Sequence, residues 1–111
     1  MRQYDVWWAE LPAPVGARPV LLLSRDAAYE YLNKFIVAEI TTNIRSIPQE
    51  VALGPAEGMR KPCAANLDNI RTVAKSWLVK QVGTLAARRH VEVKRALGAA
   101  LGWEELILSG S

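Results

Sequence analysis

Arg18-Pro-Val-Leu-Leu-Leu-Ser24 is the stretch of sequence that decides the fold. From Pro19 to Ser24 it carries apolar side chains at consecutive positions, which is typical of a strand in the middle of a sheet with both faces buried. The preceding segment, Tyr4 to Leu11, is dense in β-forming residues, and a turn-rich loop from Pro12 to Gly16 ends it. We therefore predict two strands joined by a short loop, with Arg18 where the second begins.

A third strand is predicted from Lys34 to Thr41, after a short helical turn through Tyr29 and Leu32 that Asp26 would cap. Side chains alternate between the two faces of a strand. One face would carry Ile36, Ala38 and Ile40, and the other Phe35, Val37, Glu39 and Thr41. A carboxylate and a hydroxyl are thus expected on the same side, two residues apart.

The rest of the chain adds shorter strands and one helix. A polar loop from Thr42 to Pro48 precedes the strand candidates Gln49 to Leu53, Cys63 to Leu67, Asn69 to Lys75 and Leu78 to Thr84. Helical spacing from Ala86 to Leu101 groups Val93, Leu97, Ala100 and Leu101 on one apolar face. Gly98 weakens that helix but could mark a close helix contact. The pattern predicts an α+β domain, mainly β: a small barrel with a C-terminal helix.

The composition is that of one globular domain. With 111 residues, 50% apolar and 23% charged, the chain can bury a core but leaves little room for an enclosed active site, so any chemistry is expected in a surface groove. We assign residues 1–108 to this domain and regard residues 109–111 as a tail that could derive from an expression vector.

Cysteine and histidine usage argues against a metal site. One cysteine, Cys63, and one histidine, His90, provide neither an internal disulfide nor a zinc site. We therefore expect a cytoplasmic protein without metal or cofactor, in which Cys63 is a small buried apolar residue. No apolar run approaches the roughly 18 residues that span a bilayer, so no membrane association is expected.

Positive charge is concentrated in one part of the chain. Residues 60–95 contain nine Lys or Arg against two acidic residues, a balance of +7, so the remainder carries −4 of the net charge of +3. This asymmetry indicates a polyanionic partner, although a solvated basic helix would produce much of the same count.

Four separated segments resemble, in their order and spacing, the MazF/PemK toxins, a family of sequence-selective endoribonucleases from bacterial toxin–antitoxin pairs. They span most of the chain. The segments are Asp5-Val-Trp-Trp-Ala-Glu-Leu11, Gly16 with Arg18-Pro-Val-Leu-Leu-Leu-Ser24, Ile36-Val-Ala-Glu-Ile-Thr41, and Asn66-Leu-Asp-Asn-Ile-Arg-Thr-Val73.

The resemblance implies a small SH3-like β-barrel that acts as a homodimer and cleaves RNA without a metal ion. Cleavage through the 2′-hydroxyl would leave a 2′,3′-cyclic phosphate and a 5′-hydroxyl. A cognate antitoxin protein would inhibit it by laying an acidic, initially disordered segment over the RNA groove. The family's catalytic Arg and Thr correspond to Arg18 and Thr41.

RNA cleavage through the 2′-hydroxyl suits these residue types. Attack on phosphorus builds negative charge on the nonbridging oxygens, which the planar donors of the Arg18 guanidinium would match. Thr41 could orient the scissile phosphate. Since arginine is a poor base at neutral pH, either Asp68 or Glu39 would accept the 2′-hydroxyl proton. We favour Asp68, which lies at the acidic position of the family's motif.

Substrate contacts are expected from the polar loop and from the strand around Asp68. The candidates are Thr42, Asn43, Arg45, Asn69 and Arg71. The structural alternative for Arg71 is an ion pair with Asp68. Trp7 and Trp8 should point to opposite faces of their strand, one into the core and the other exposed and able to stack a base.

The first loop, Pro12 to Ala17, is shorter than in the family. Fewer groups would then read single-stranded bases, which leaves RNA shape as a source of selectivity. The alternative function is a non-catalytic module on the same barrel that acts by binding a protein target.

Overall fold

The computed structural model describes residues 1–108, which form a six-stranded antiparallel sheet that curls around a core. The assignment of residues 109–111 as a tail lies outside the described residues. The strands are β1 (Asp5–Leu11), β2 (Gly16–Leu22), β3 (Lys34–Thr41), β4 (Glu50–Leu53), β5 (Cys63–Ala74) and β6 (Leu78–Thr84). Their order in the sheet is β4-β5-β3-β2-β1-β6, so the fold is mainly β, as predicted.

Three α-helices complete the part of the chain that the structure describes. They are α1 (Ala28–Tyr31), α2 (His90–Leu101) and α3 (Glu104–Ile107). Short 3-10 turns occur at Pro55–Glu57, Lys75–Trp77 and Ala87–Arg89. Within residues 1–108, none of the helices is long and apolar enough to cross a membrane.

Strand β2 lies in the middle of the sheet, and its side chains are buried on both faces, which confirms the prediction from its apolar run. Leu21 belongs to one core cluster, whereas Val20 and Leu22 belong to the other. The strand begins earlier than predicted, at Gly16, because its first residues pair with the end of β1. It also ends earlier: the Ser24 hydroxyl accepts a hydrogen bond from the Ile36 backbone N–H at 2.9 Å, outside the strand.

The curled sheet separates two cores. Helix α2 packs on the first, where Val93 and Ala96 are buried among residues of β1 to β5. The second lies on the opposite face and collects Phe35 and Val37 of β3 together with Tyr29 of α1. The alternation predicted for β3 is therefore correct, although Ile36, near its start, is half exposed.

Strand β5 is one long strand and not the two shorter ones predicted. Its pairing with β3 shifts at a bulge: Ala38 pairs with Ile70 but Glu39 pairs with Asn66. Residues 67–69 of β5 therefore lack a partner in β3, and the strand bends there without ending. A bulge of this kind interrupts the apolar pattern of the strand. This interruption explains why the sequence predicted two strands separated at Asp68.

The predicted cap of α1 is wrong. The helix begins after Ala27, and no side chain caps it. The Asp26 carboxylate instead accepts a hydrogen bond from the Gln3 backbone N–H at 2.7 Å and lies 3.7 Å from the Arg2 guanidinium. A contact to a residue 23 positions away replaces the local one.

Helix α2 buries most of its predicted apolar face. Val93 is buried, and Leu97 and Ala100 pack against the first core. Leu101 is 45% exposed, so its assignment to the core face is wrong. The helix ends there: Gly102 adopts the left-handed conformation that turns the chain back, so that α3 packs against Gly98. The close helix contact expected at Gly98 is confirmed.

The two edges of the sheet, β4 and β6, are bridged by the 3-10 turn Pro55–Glu57. The buried Glu57 carboxylate accepts hydrogen bonds from the Gly54 backbone N–H at 2.7 Å and from Arg89 at 3.2 Å. Arg89 also donates to the Ala52 carbonyl of β4 at 2.7 Å. A Cβ atom at Gly83 of β6 would collide with the Glu57 carbonyl, so glycine permits this close approach.

Candidate active site

Arg18 projects from β2 against a carboxylate of the neighbouring strand. Its Nη1 donates a hydrogen bond to Glu39 Oε1 at 2.8 Å, and about a third of the side chain is exposed. Its Nε is buried without a hydrogen-bond partner. The exposed part of this guanidinium is suited to bind an oxyanion, whereas the buried Nε is out of a ligand's reach.

Glu39 joins Arg18 to Arg71. The second oxygen, Oε2, accepts a hydrogen bond from Arg71 Nη1 at 3.4 Å, and the Glu39 side chain is only 15% exposed. The proposed ion pair between Asp68 and Arg71 is therefore wrong. Arg71 lies opposite Val37 in β3, so its side chain reaches the carboxylate two residues further along the same face.

A small cavity of about 100 Å³ opens beside this cluster. It is lined by Arg18, Glu39, Thr41, Asn43, Arg45, Asn66 and Asn69. A second cavity of about 210 Å³ also has Arg18 and Thr41 in its wall and continues along Pro19, Thr42 and Met59. Arg18 and Thr41 thus stand between two openings, where a chain passing from one to the other would contact both side chains.

The polar loop after β3 is held in place by backbone hydrogen bonds. The Glu50 carboxylate accepts them from the Arg45 and Ser46 N–H groups, each at 3.0 Å. The Thr41 Oγ1 accepts one from the Asn43 N–H at 3.0 Å. These contacts fix the loop where the side chains of Asn43 and Arg45 line the small cavity.

The structure brings together most of the site residues expected from the sequence. Arg18, Thr41, Asn43, Arg45 and Asn69 line one cavity, Thr42 lines the adjoining one, and Arg71 touches Glu39. Asp68 lines neither cavity: it is exposed in the bulge of β5, and its backbone N–H donates to the Asn66 side chain at 2.9 Å.

Asn66 is the cavity residue that the sequence did not indicate. Nothing in the local pattern marks it, since the bulge of β5 is what places it opposite Glu39. The sequence did indicate Glu39, because the alternation of side chains in β3 places it on the same face as Thr41.

One cation of residues 60–95, Arg89, forms ion pairs within the fold. Arg89 makes two hydrogen bonds to Glu92, at 2.7 and 2.9 Å, besides its contact with Glu57. The hydrogen bond with Glu92 raises the pKa of Arg89 and lowers that of Glu92. Arg60, Lys61 and Lys80, in contrast, are exposed.

The remaining residues singled out from the sequence have structural surroundings. Cys63 is buried, as predicted, and burial raises the pKa of its thiol. The His90 ring stacks on Tyr4 at 3.6 Å between centroids. Trp7 packs on the second core and Trp8 is 38% exposed, which confirms that the two point to different surroundings. Within residues 1–108, no group of three or more His, Cys, Asp or Glu is placed to hold a metal ion.

Comparison with known proteins gives consistent matches over the same fold. A model described as a PemK-like, MazF-like toxin of type II toxin–antitoxin system matches residues 2–101. Probable endoribonuclease MazF5 of Mycobacterium tuberculosis is 41% identical over 98 residues, which cover 87% of this chain and 89% of that protein. Endoribonuclease MazF3 of the same organism is 35% identical over 89 residues, covering 78% and 86%.

Solved structures of toxins and endoribonucleases also match this fold. The Mycobacterium tuberculosis toxin MazF-mt6 has a TM-score of 0.83 and 32% identity over 88% of this chain and 96% of that chain. An endoribonuclease in complex with its cognate antitoxin, from a mycobacterial species, has a TM-score of 0.79 and 28% identity, covering 93% and 96%. With the family model spanning nearly the whole domain, this chain belongs to the PemK-like, MazF-like toxins of type II toxin–antitoxin systems.

Proposed function

We propose that this chain is an endoribonuclease toxin that cleaves RNA through the 2′-hydroxyl without a metal ion. The observation that carries the proposal is the placement of Arg18 and Thr41 in the shared wall of two open cavities. The relatives at 41% and 35% identity are named endoribonucleases, which supports the same activity here.

In the proposed reaction the 2′-oxygen attacks the adjacent phosphorus and the bond from phosphorus to the 5′-oxygen breaks. The 2′-hydroxyl gives up its proton and the leaving 5′-oxygen gains one, so the products are a 2′,3′-cyclic phosphate and a 5′-hydroxyl. Arg18 faces the nonbridging oxygens, where the exposed part of its guanidinium stabilises the developing charge. Thr41 orients the same phosphate by a hydrogen bond.

Glu39 replaces Asp68 as our choice for the acceptor of the 2′-hydroxyl proton. Glu39 lines the cavity of Arg18 and Thr41, whereas Asp68 is exposed outside it. A carboxylate offers about four lone-pair positions, and the two guanidiniums take one each, so Glu39 has lone pairs left for the 2′-hydroxyl proton. A catalytic role for Asp68 stays a prediction from the family motif.

The substrate contacts follow from the same cavities. Asn43, Arg45 and Asn69 surround the small cavity and offer directional hydrogen bonds to RNA, and Thr42 does so next to it. Arg71 contacts Glu39 beside the cavity, and because Arg18 and Arg71 share this one carboxylate, the cluster keeps a net positive charge for RNA. Side-chain donors that line small surface cavities favour unpaired bases, as in a single-stranded segment or a loop of RNA.

We further propose that the protein is a homodimer in the cytoplasm and that a cognate antitoxin inhibits it. An endoribonuclease of similar fold has been solved in complex with its antitoxin. An acidic antitoxin segment would be attracted to the exposed cations of residues 60–95 and would exclude RNA from the groove.

The experiment is incubation of the purified wild-type protein with total RNA in excess EDTA. We expect discrete fragments whose new 5′ ends accept a label from polynucleotide kinase without prior phosphatase treatment, because they carry a hydroxyl. Intact RNA after incubation with the folded protein would favour the non-catalytic module that binds a protein target.

A further inference from the structure

A continuous groove leads away from Arg18 and past Pro19. The cavity of about 210 Å³ beside Arg18 shares Pro19, Thr42, Met59 and Cys63 with a larger one of about 520 Å³. The larger cavity in turn shares Trp8, Arg60 and Val82 with an opening of about 420 Å³ that reaches Lys80. The volume of the larger cavity falls in the range of roughly 300–1,000 Å³ typical of ligand clefts.

Trp8 lines both the larger cavity and the opening beyond it, beside apolar neighbours. It pairs with Pro19 of β2 on one side and with Lys80 of β6 on the other, so the three side chains share a face of the sheet. Met59 and Val82 add apolar surface. An exposed indole on a rigid central strand is a stacking platform that needs little ordering when a ligand binds.

Cations surround this apolar wall. Arg60 and Lys61 line the larger cavity, Lys80 lines the opening beyond it, and all three are exposed. No acidic side chain lines either opening within the described residues. An aromatic platform within a ring of cations is the arrangement that binds single-stranded nucleic acid, since the bases stack and the phosphates lie against the charges.

We propose that Trp8 forms a binding subsite for one RNA nucleotide next to the scissile phosphate, with the base stacked on the indole and its flanking phosphate held by Arg60, Lys61 and Lys80. The inference rests on the proposed function, because RNA is assigned to this groove from its continuity with the cavity of Arg18. The cationic rim favours RNA as the occupant over a second copy of this chain, whose own groove carries the same charges.

The subsite should add affinity but little base selectivity. The indole, proline ring, methionine and valine in its wall provide no directional hydrogen bonds to a base edge, and the hydroxyl of Thr42 lies on the side shared with the cavity of Arg18. Stacking tolerates any base because every base has a π face. Loss of the platform should therefore raise KM for RNA and leave kcat almost unchanged, whereas substitution of Arg18 should lower kcat.

The test pairs Trp8→Ala with an RNA that carries one abasic nucleotide, scanned along the sequence beside the cleavage site. Binding is measured on oligonucleotides with a 2′-deoxy residue at that site, which cannot be cut, and cleavage on the matching all-ribose strands. Wild type should lose between about 5- and 100-fold in affinity at one abasic position, the range for a stacked base. Trp8→Ala should lose as much with the intact RNA and nothing more at that position, and Trp8→Phe should restore part of the loss.

Trp103→Ala is the matched control, since Trp103 is 50% exposed and lies outside this groove. Equal affinity of Trp8→Ala and wild type for the intact RNA would overturn the subsite, as would equal sensitivity of both to every abasic position. A change in dimerisation by Trp8→Ala with unchanged RNA affinity would assign the surface to a second copy instead. Absence of cleavage by wild type would count against the proposed function alone, because the binding arm still measures stacking.

Discussion

The centre of the proposed active site is one carboxylate held between two guanidiniums. Glu39 accepts hydrogen bonds from Arg18 and Arg71 and is largely shielded from water. Two cations on the strands that flank β3 would repel each other without it, and a charge pair broken inside such a shielded cluster leaves an uncompensated charge. Glu39 therefore holds Arg18 where the exposed part of its guanidinium can meet a phosphate in the cavity.

Arg18→Ala should lower the rate of RNA cleavage at least about 100-fold, the scale of removing one donor to a developing oxyanion. Arg18→Lys should recover only part of the loss, because an ammonium keeps the charge but not the planar fork. Single-turnover cleavage measures both. Dimerisation and the thermal unfolding midpoint serve as controls for folding, and near-wild-type cleavage by a folded Arg18→Ala protein would exclude the assigned role.

Glu39→Gln and Asp68→Asn separate the two candidate bases, since each replaces a carboxylate by an amide of nearly the same shape. Glu39→Gln should reduce cleavage by about 10²- to 10⁴-fold, the usual contribution of a general base. Asp68→Asn should stay within a few-fold of wild type because Asp68 lies outside the cavity. The opposite ranking would return the role to Asp68.

At the scale of secondary structure elements, the bulge in β5 shapes the site. It leaves residues 67–69 without partners in β3 and sets Asn66 opposite Glu39. Asn66, just before the bulge, and Asn69, within it, both line the small cavity, while Asp68 is exposed to solvent. A single irregularity in the ladder thus selects which polar side chains of one strand reach the phosphate.

The packing of α3 on α2 depends on the absence of a side chain at Gly98. A Cβ atom there would lie 2.7 Å from Leu106 Cβ and 2.8 Å from the Ile107 backbone N. Gly98→Ala gains about 1 kcal/mol in helix propensity but incurs overpacking of about 1–3 kcal/mol. Because the close atoms include backbone that cannot rotate away, we expect a net loss of stability and a midpoint of thermal unfolding lower by several degrees.

Gly54→Ala is the control for that measurement, because a Cβ atom at Gly54 meets nothing within 4 Å and its backbone is extended. It should leave the thermal midpoint nearly unchanged. An equal or higher midpoint for Gly98→Ala than for wild type would show that α3 moves aside without cost.

Across the whole molecule, the charged groove and the short first loop act on the same substrate. The loop between β1 and β2 contains only the residues between Leu11 and Gly16, and the cavities near Arg18 remain open to the surface. Exposed cations at Arg60, Lys61 and Lys80 continue that surface. An open, basic cleft can accept a folded RNA as well as an extended strand.

A structured RNA should accordingly be cut at least as well as a linear oligonucleotide of the same cleavage sequence. The reason is geometric: with little loop to enclose single-stranded bases, shape and phosphate positions contribute more to recognition. The measurement compares kcat/KM for a transfer RNA hairpin and for its unfolded counterpart at matched concentration and salt. Preferential cleavage of the unfolded strand would contradict it.

Local patterns in the sequence were sufficient to predict several strands and part of the candidate active site. The bounds of β3 and β6 agree with those predicted, and β2 is the doubly buried strand that its apolar run indicated. Arg18 and Thr41 were named from their motifs and lie in one cavity. Such features depend on neighbouring residues, since periodicity and turn composition act over a few positions of the chain.

The arrangement that gives these residues their surroundings required the folded chain. Arg71 meets Glu39 across 32 positions of sequence, and Arg89 meets Glu57 across the same number. The bulge that excludes Asp68 and the end of α2 that exposes Leu101 likewise follow from contacts with other elements. Charge pairing and strand register depend on which strands lie side by side. A local sequence pattern cannot predict the order of the strands, because that order minimises the free energy of the whole sheet.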